Sequence, residues 1–341
     1  MRVPATHLLY KNILGEPGLA VSYSQIEAFK QCPYKWYKTY VEGNRFEERQ
    51  EATSYGTVIH KTLEYFFRNH RLPTGEDLSA AINLYYFEEQ IPFDSIENTL
   101  EALKDTGEML SWLVRTFRRG TDGKYIVPDS ELNSMERLLR NAKIVGVEED
   151  FILPYRLPVP VNINGKIHTH VNITGSIDLH LSMKSGGNVY HYIVDWKSGR
   201  KLFDKTKINT NLQHPIYSFY VMKEYKQGLP RMNLYVFTRT REYQMVKVDE
   251  KRKQDSIKDL NDTFRKMYDF DTKSVRRFTA FVEKSDKSGY TRKQATLTEP
   301  VPENMRPCPS ALCYYCDFGL HKRNMCPFSS DWDPSKKKKN K

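Results

Sequence analysis

The sequence lacks several features that would assign it to a class at once. No stretch approaches the roughly 18 consecutive apolar residues that a membrane-spanning helix needs. The first 20 residues have neither the apolar block nor the small-residue cleavage site of a secretory signal. The phosphate-binding pattern GxxxxGK followed by Ser or Thr is also absent. We therefore expect an intracellular chain that has no membrane partner and does not use ATP by itself.

The composition indicates a folded, basic protein. The chain has 341 residues, of which 39% are hydrophobic and 13% aromatic, enough to bury a sizeable core. Lys and Arg number 53 against 42 Asp and Glu, which gives a formal charge of +11. Such an excess suits a polyanionic partner. Part of it lies at the C-terminal end, where residues 329–341 are predicted to form a basic, disordered tail.

Helical patterns occupy most of the first 120 residues. Ser24, followed three residues later by Glu27, is a capping-box pattern that predicts the start of a helix. Pro33 should kink or restart that helix. A second helix is predicted over 56–69 because its apolar residues recur at helical spacing, and it carries His60. The segment 78–117 is predicted to form further helices.

Strand patterns begin near residue 144. Three segments rich in Val, Ile and Tyr, at 144–153, 168–183 and 188–196, predict strands. Further on, the pattern predicts a helix over 211–226, a strand over 232–240 and a helix over 255–268. The chain from residue 306 is predicted to be cysteine-rich coil.

An acid and a base stand two residues apart at the end of the third strand, in the sequence IVDWKSG. Side chains alternate between the two faces of a strand, so Asp195 and Lys197 share a face. Gly186-Gly187 predicts a hairpin turn between the second and third strands. If the turn is centred there, Asp178 lies opposite Asp195, and the facing apolar residues agree with that pairing.

Two facing carboxylates, with side chains about 5 Å apart, repel each other unless a cation lies nearby. Lys197 and a divalent metal are the two candidates. Mg²⁺ or Mn²⁺ takes oxygen ligands of this kind and can activate water and stabilise charge in phosphodiester hydrolysis. The alternative is a surface hairpin with an ordinary Asp-Lys ion pair.

Five short motifs occur in an order that resembles the RecB-like branch of the PD-(D/E)XK nuclease superfamily. That branch includes RecB and AddB nuclease domains and CRISPR-associated four-cysteine exonucleases. The motifs are VSYSQIEAFKQCPYKWY at 21–37, YGTVIH at 55–60, GSIDL at 175–179, IVDWKSG at 193–199 and QHPIY at 213–217. The resemblance implies an α/β, restriction-endonuclease-like core with a central mixed sheet flanked by helices. It implies a single nuclease domain over 1–328, with a helical insertion at about 72–140 and a cluster-binding segment at 301–328.

The same resemblance assigns roles to individual residues. It implies that His60, Asp178 and Asp195 bind Mg²⁺ or Mn²⁺ and that Lys197 is the catalytic lysine. It implies that Gln213 and Tyr217 border the active site and touch the DNA strand. Each has an alternative: His60 could be a helix histidine near Glu64, and Gln213 and Tyr217 could be helix surface. The family also carries a Glu on the preceding strand, for which Glu148, Glu149 and Asp150 are candidates. Spacing to Phe151 favours Glu148, which stays outside the predicted set.

The five cysteines form a second group. Cys313 and Cys316 have the spacing that lets two sulfurs bind one metal, and an intracellular chain disfavours a disulfide framework. The resemblance implies a 4Fe-4S cluster held by Cys32, Cys313, Cys316 and Cys326. Cys326 stands further from the CxxC pair than is usual in the family. Zinc on Cys308, Cys313, Cys316 and Cys326 is therefore the alternative.

The expected function is that of a Mg²⁺- or Mn²⁺-dependent DNA exonuclease in repair or recombination. The resemblance implies single-stranded DNA ends as substrate, an arch formed by residues 78–117, and helicase or recombination proteins as candidate partners. Two alternatives remain: an endonuclease or CRISPR-adaptation type processing nuclease on the same fold, and a non-catalytic, zinc-containing DNA-binding protein. Binding alone would not need facing carboxylates, which repel DNA.

Overall fold

A computed structural model gives the fold for part of the chain. It describes residues 9–11, 17–44, 51–69, 96–163, 165–226, 230, 232–269, 274–275, 278–282, 293–297, 301–305, 307–308, 313, 316–318 and 326. Residues 78–95 of the predicted arch and the predicted tail at 329–341 lie outside this part. Within it, none of the helices has the length and apolar character required to cross a membrane.

The chain divides into two compact units. One comprises Met1–Glu47, Leu153–Thr174 and Ile257–Lys341, and the other comprises Glu48–Ile152 and Gly175–Ser256. The first unit contains all five cysteines, and the second contains every residue of the predicted nuclease site. The single domain predicted over 1–328 stays a prediction.

The predicted helices and strands that fall in the described residues occur in the predicted order. The α-helices are α1 (Tyr23–Gln31), α2 (Pro33–Trp36), α3 (Glu51–Arg68), α4 (Ile96–Phe117), α5 (Ser134–Asn141), α6 (Lys205–Thr210), α7 (Gln213–Glu224) and α8 (Glu250–Met267). The strands are β1 (Leu9–Lys11), β2 (Pro17–Ser22), β3 (Lys143–Ile163), β4 (Lys166–Ser185), β5 (Asn188–Lys197), β6 (Met232–Phe237), β7 (Glu242–Val246), β8 (Ser274–Val275), β9 (Phe278–Val282), β10 (Lys293–Leu297) and β11 (Val301–Pro302). The structure adds the strands β1, β2 and β7–β11 and the helix α6 to those predicted. A π-helical turn, Tyr37–Val41, follows α2.

In the first unit, the start of α1 differs from the prediction. The N-cap is Ser22, not Ser24: the Ser22 hydroxyl accepts a hydrogen bond from the backbone N–H of Gln25 at 3.2 Å. Ser22 ends β2 in an extended conformation, which is the backbone geometry of an N-cap, whereas Ser24 already lies inside the helix. The prediction for Pro33 is confirmed, because α1 ends at Gln31 and α2 begins with this proline.

The sheet of the second unit is mixed. β4 and β5 are antiparallel, β5 and β6 are parallel, and β6 and β7 are antiparallel. β3 pairs with β4. A mixed sheet flanked by helices confirms the predicted α/β fold class.

Each face of this sheet carries a different layer. Val194 and Trp196 of β5 point to an apolar core formed with α3, α4 and α5, where the ring of Phe67 stacks on Trp196 at 5.7 Å between centroids. Helix α7 contacts β5 and buries Ile216 and Val221 completely. Because alternate residues of β5 point to opposite faces, Asp195 and Lys197 lie on the face opposite the core that contains Val194 and Trp196.

The predicted β4–β5 register is confirmed. Leu179 pairs with Val194 and Leu181 with Tyr192. Gly186 and Gly187 form the turn with φ of 57° and 81°, values in the left-handed region that glycine adopts without steric cost. One further step along this register places Asp178 opposite Asp195.

Candidate active site

Three side chains from three elements come together beside the end of the β4–β5 hairpin. They are His60 of α3, Glu148 of β3 and Asp178 of β4, each with one potential ligand atom within 4.8 Å of the other two. The Nδ1 atom of His60 lies 3.5 Å from Glu148 Oε1 and 3.6 Å from Asp178 Oδ2. One imidazole nitrogen and two carboxylate oxygens fit a divalent metal such as Mg²⁺ or Mn²⁺. We call these three residues the ligand triad.

Glu148 was not in the set predicted from the sequence. The sequence offers three adjacent acids in VEEDF, and regular alternation does not tell which of them reaches the site. The backbone of Glu148 has φ of 46°, an unusual value for a residue with a side chain. The weak spacing signal from Phe151 pointed to Glu148, and the structure brings this glutamate to His60 and Asp178.

Two members of the ligand triad, His60 and Asp178, have raised pKa values. Burial, together with the negative charges of Asp195 and Glu148, raises the pKa of Asp178 to about 8 against the opposing charge of His60. Burial alone would lower the pKa of His60. The hydrogen bond with Glu148 and the charges of Asp178 and Asp195 outweigh it and raise that pKa to about 9. The raised pKa of Asp178 reflects burial and repulsion from the neighbouring carboxylates, and a bound cation would relieve that repulsion.

Asp195 and Lys197 are held by Gln213. The Lys197 ammonium contacts Asp195 Oδ2 and donates to Gln213 Oε1 at 3.3 Å. The Nε2 group of Gln213 donates to Asp195 Oδ1 at 2.5 Å and to the Tyr217 hydroxyl at 2.9 Å. Gln213 and Tyr217 are one helical turn apart on α7 and therefore face the same way. The structure thus brings together all the residues predicted for this site, while their roles stay predictions.

Two of the alternatives are wrong. His60 does not pair with Glu64; the Glu64 carboxylate instead accepts from the Nε of Arg68 at 2.7 Å. Tyr217 is not helix surface, because it is only 5% exposed. Burial, together with the negative charges of Asp195 and Asp178, holds the pKa of Tyr217 well above its usual range.

In the first unit, three cysteines approach one another, and none of the five forms a disulfide. Burial raises the pKa of Cys32. The backbone N–H groups of Cys308 and Lys35 oppose this shift, while nearby Cys316 and Cys313 add to it. The Cys308 N–H lies 3.5 Å from the Cys32 sulfur. The Cys326 N–H donates to the Phe318 carbonyl at 2.7 Å.

The arrangement of site and fold can be compared with known proteins. The sequence model of the PD-(D/E)XK nuclease superfamily matches residues 20–326 of this chain. The chain belongs to this superfamily. PD-(D/E)XK nucleases use divalent metals, and the oxygen and nitrogen donors of the ligand triad suit such an ion.

Curated relatives match part of the chain. One subunit of the "ATP-dependent helicase/deoxyribonuclease" of Clostridium perfringens strain SM101 is 22% identical over 202 residues, which is 57% of this chain and 17% of that protein. The protein of the same name from Clostridium botulinum strain Loch Maree is 24% identical over 211 residues, 60% of this chain and 17% of that protein. The PD-(D/E)XK chain thus covers only about a sixth of the length of these relatives.

A solved structure also resembles the fold. It is a protein of Eubacterium rectale, provisionally named as an exonuclease, with a TM-score of 0.40 and 11% identity. The match covers 73% of this chain and 79% of the Eubacterium rectale protein.

Proposed function

We propose that the chain is a Mg²⁺- or Mn²⁺-dependent DNA exonuclease that hydrolyses phosphodiester bonds from single-stranded ends. The observation that carries the proposal is the position of the ligand triad next to an acid and a lysine that share a strand face. Superfamily membership supports the nuclease chemistry. The excess of basic residues supports a nucleic-acid substrate.

The ligand triad and Asp195 would hold the metal. His60, Glu148 and Asp178 offer three donor atoms, and Asp195, opposite Asp178, would provide a further carboxylate. A divalent metal bound there would lower the pKa of a bound water molecule and would place positive charge next to the phosphate. The protons now held by His60 and Asp178 would leave when the metal binds, because metal ligands must be deprotonated.

Lys197 would position the attacking water with its ammonium, or deprotonate that water once the lysine itself has given up a proton and is a neutral amine. Its side chain is 24% exposed, so it can reach a substrate, and its ammonium is directed by Asp195 and Gln213. Gln213 connects three groups through two donated and one accepted hydrogen bond. It would therefore fix the direction of the lysine, and Tyr217 would in turn fix Gln213.

The substrate is inferred from composition and relatives. The 22 Tyr and 17 Phe could include residues that stack on unpaired bases, as in proteins that bind single strands. The relatives named "helicase/deoxyribonuclease" support a helicase or recombination protein as partner. The described part of the predicted arch is α4, which packs in the apolar core on the face of β5 opposite Asp195 and Lys197 and so does not support an arch over the site.

An iron-sulfur cluster on Cys32, Cys313, Cys316 and Cys326 is the second part of the proposal. Cys313 and Cys316 lie close enough to Cys32 to influence its pKa. This proximity supports the cluster ligand set over zinc on Cys308, Cys313, Cys316 and Cys326, because the zinc set leaves Cys32 out.

The test is a nuclease assay on single strands labelled at the 5′ or 3′ end, on end-blocked strands and on circular strands, with Mg²⁺ or Mn²⁺. An exonuclease degrades the linear strands and leaves the circles intact. Cleavage of circles would identify an endonuclease, and binding without cleavage would identify a DNA-binding protein. Lys197→Ala should be inactive. Lys201→Ala is the matched control, because Lys201 is an exposed lysine four residues further along the chain.

A further inference from the structure

Two consecutive glutamates of β3 reach side chains on the same face of the neighbouring strand. Ser176, Asp178 and His180 are alternate residues of β4 and therefore share a face. Glu148 accepts from the Ser176 hydroxyl at 3.3 Å and belongs to the ligand triad with Asp178. Glu149 contacts His180, with Oε2 2.8 Å from the ring Nδ1. In a regular strand, neighbouring residues would point to opposite faces.

A distortion of β3 at Glu148 explains how both glutamates reach this face. Glu148 has φ of 46°, whereas the other two residues with side chains and positive φ in the described part, Lys226 and Arg241, lie outside the strands. A left-handed residue inside a strand interrupts the regular alternation, as one type of bulge does, and redirects a side chain; we call this distortion the bulge of β3. Glutamate has no preference for this conformation, so its surroundings must stabilise it.

The carboxylate of Glu149 provides such surroundings. Its Oε1 accepts hydrogen bonds from the hydroxyls of Tyr220 and Tyr225, both at 2.9 Å. Its Oε2 is bonded to His180, whose other ring nitrogen lies 2.8 Å from Nδ1 of His191. His180 is completely buried. Three groups from β4, α7 and the residue after α7 thus fix a single carboxylate next to the distorted residue.

The backbone before the bulge is also fitted to this carboxylate. A Cβ atom at Gly146 would lie 2.5 Å from Glu149 Oε2 and 2.9 Å from Glu149 Cβ. Contacts this short do not occur, so any residue with a side chain would displace Glu149. The backbone at Gly146 thus packs directly against the Glu149 side chain, and Glu148 lies in the short segment between these two residues.

We propose that Glu149 is a positioning residue for the metal site. Its carboxylate is fixed by hydrogen bonds with His180, Tyr220 and Tyr225. This stabilises the bulge of β3 and so directs the Glu148 side chain towards His60 and Asp178. Glu149 itself touches neither metal nor substrate. This inference rests on the proposed function, because it assigns a role towards the metal that the ligand triad would bind.

The test measures Mn²⁺ affinity directly, by electron paramagnetic resonance of free Mn²⁺ in a titration without DNA. Glu149→Gln keeps the shape of the side chain and removes the charge and part of its acceptor capacity for the two tyrosine hydroxyls. We expect its Mn²⁺ affinity to fall by about 10- to 100-fold, as for other partners that orient metal ligands. In nuclease assays, excess Mn²⁺ should restore the kcat of Glu149→Gln, because only metal affinity is lowered. It should not restore the kcat of Lys197→Ala, because that variant lacks the lysine that acts on the water.

Asp150→Asn is the matched control, since it neutralises the next acid in the chain, which is exposed. It should bind Mn²⁺ like the wild type. Equal Mn²⁺ affinity of Glu149→Gln and wild type would overturn the positioning role and leave the proposed function intact. Failure of the wild type to bind Mn²⁺ would overturn both. If Glu149→Gln does not fold, Tyr225→Phe replaces it: lower Mn²⁺ affinity supports the role and unchanged affinity overturns it.

Discussion

Binding of a divalent metal should displace protons from the ligand triad. In the metal-free protein, burial and the neighbouring carboxylates place the pKa of Asp178 at about 8. The hydrogen bond with Glu148 and the charges of Asp178 and Asp195, acting against burial, place the pKa of His60 at about 9. Both shifts favour the protonated forms near pH 7. Both must lose the proton to donate an electron pair to Mn²⁺.

The size of the effect follows from these pKa values. Binding at pH 7 or below should release more than one and up to two protons, so apparent affinity should rise by up to about 100-fold per pH unit there. Above pH 8 the carboxyl of Asp178 is already ionised, and the release should fall to about one proton. Above pH 9 His60 is also neutral, and affinity should become independent of pH.

Calorimetric titration with Mn²⁺ in buffers of different ionisation enthalpy counts the released protons. His60→Gln is the informative variant, because it keeps a polar side chain of similar size and removes one titrating group. It should release about one proton at pH 7. A binding enthalpy that does not change with the buffer, in a wild-type protein that binds Mn²⁺, would refute the assignment of these residues as ligands.

Three other variants test separate parts of the molecule. Lys197→Ala should lower the rate of DNA degradation by at least about 100-fold while DNA binding, measured by fluorescence anisotropy, stays within a few-fold; undiminished degradation would contradict the role of this lysine. Cys313→Ala should lower solubility and remove the visible absorbance of a cluster, and a stable, equally coloured variant would contradict the ligand assignment. His214 is fully buried, and neither of its ring nitrogens has a hydrogen-bond partner among the described residues; burial lowers its pKa to about 4. Since the unfolded chain protonates this histidine near pH 6.5 and the folded chain only near pH 4, wild-type stability should fall as pH falls between these values. His214→Leu should be more stable by about 1 kcal/mol at pH 7 and by more at pH 5 in urea unfolding; an equal difference at both pH values would contradict this reasoning.

The β4–β5 hairpin could be predicted because its determinants are local. Alternation of apolar residues fixes which side chains share a face, and Gly186-Gly187 fixes the turn. The register then followed by counting, and with it the pairing of Asp178 and Asp195. The meeting of His60, Gln213 and Tyr217 with this hairpin came only from family resemblance, since no local rule brings two helices to the same strand ends.

The start of α1 shows where local rules are insufficient. Ser22 and Ser24 both fit the capping-box pattern, with Gln25 and Glu27 respectively three residues further on. The outcome depends on β2, which pairs with β4 through Ser22 and Thr174. Pairing keeps Ser22 extended, so the first helical turn begins directly after it. A capping pattern cannot predict a strand contact 152 residues away in the chain.

Glu148 shows the same limit at the candidate active site. A strand pattern assigns faces by counting in twos, and a bulge shifts that count by one without any mark in a single sequence. Glu149 would have been as good a choice by composition, yet its carboxylate is occupied by Tyr220, Tyr225 and His180. Because those three partners occupy one glutamate of the pair, the other is left to face His60 and Asp178. The choice between two identical neighbours is thus made by hydrogen bonds from β4 and the end of α7, and only the three-dimensional structure contains them.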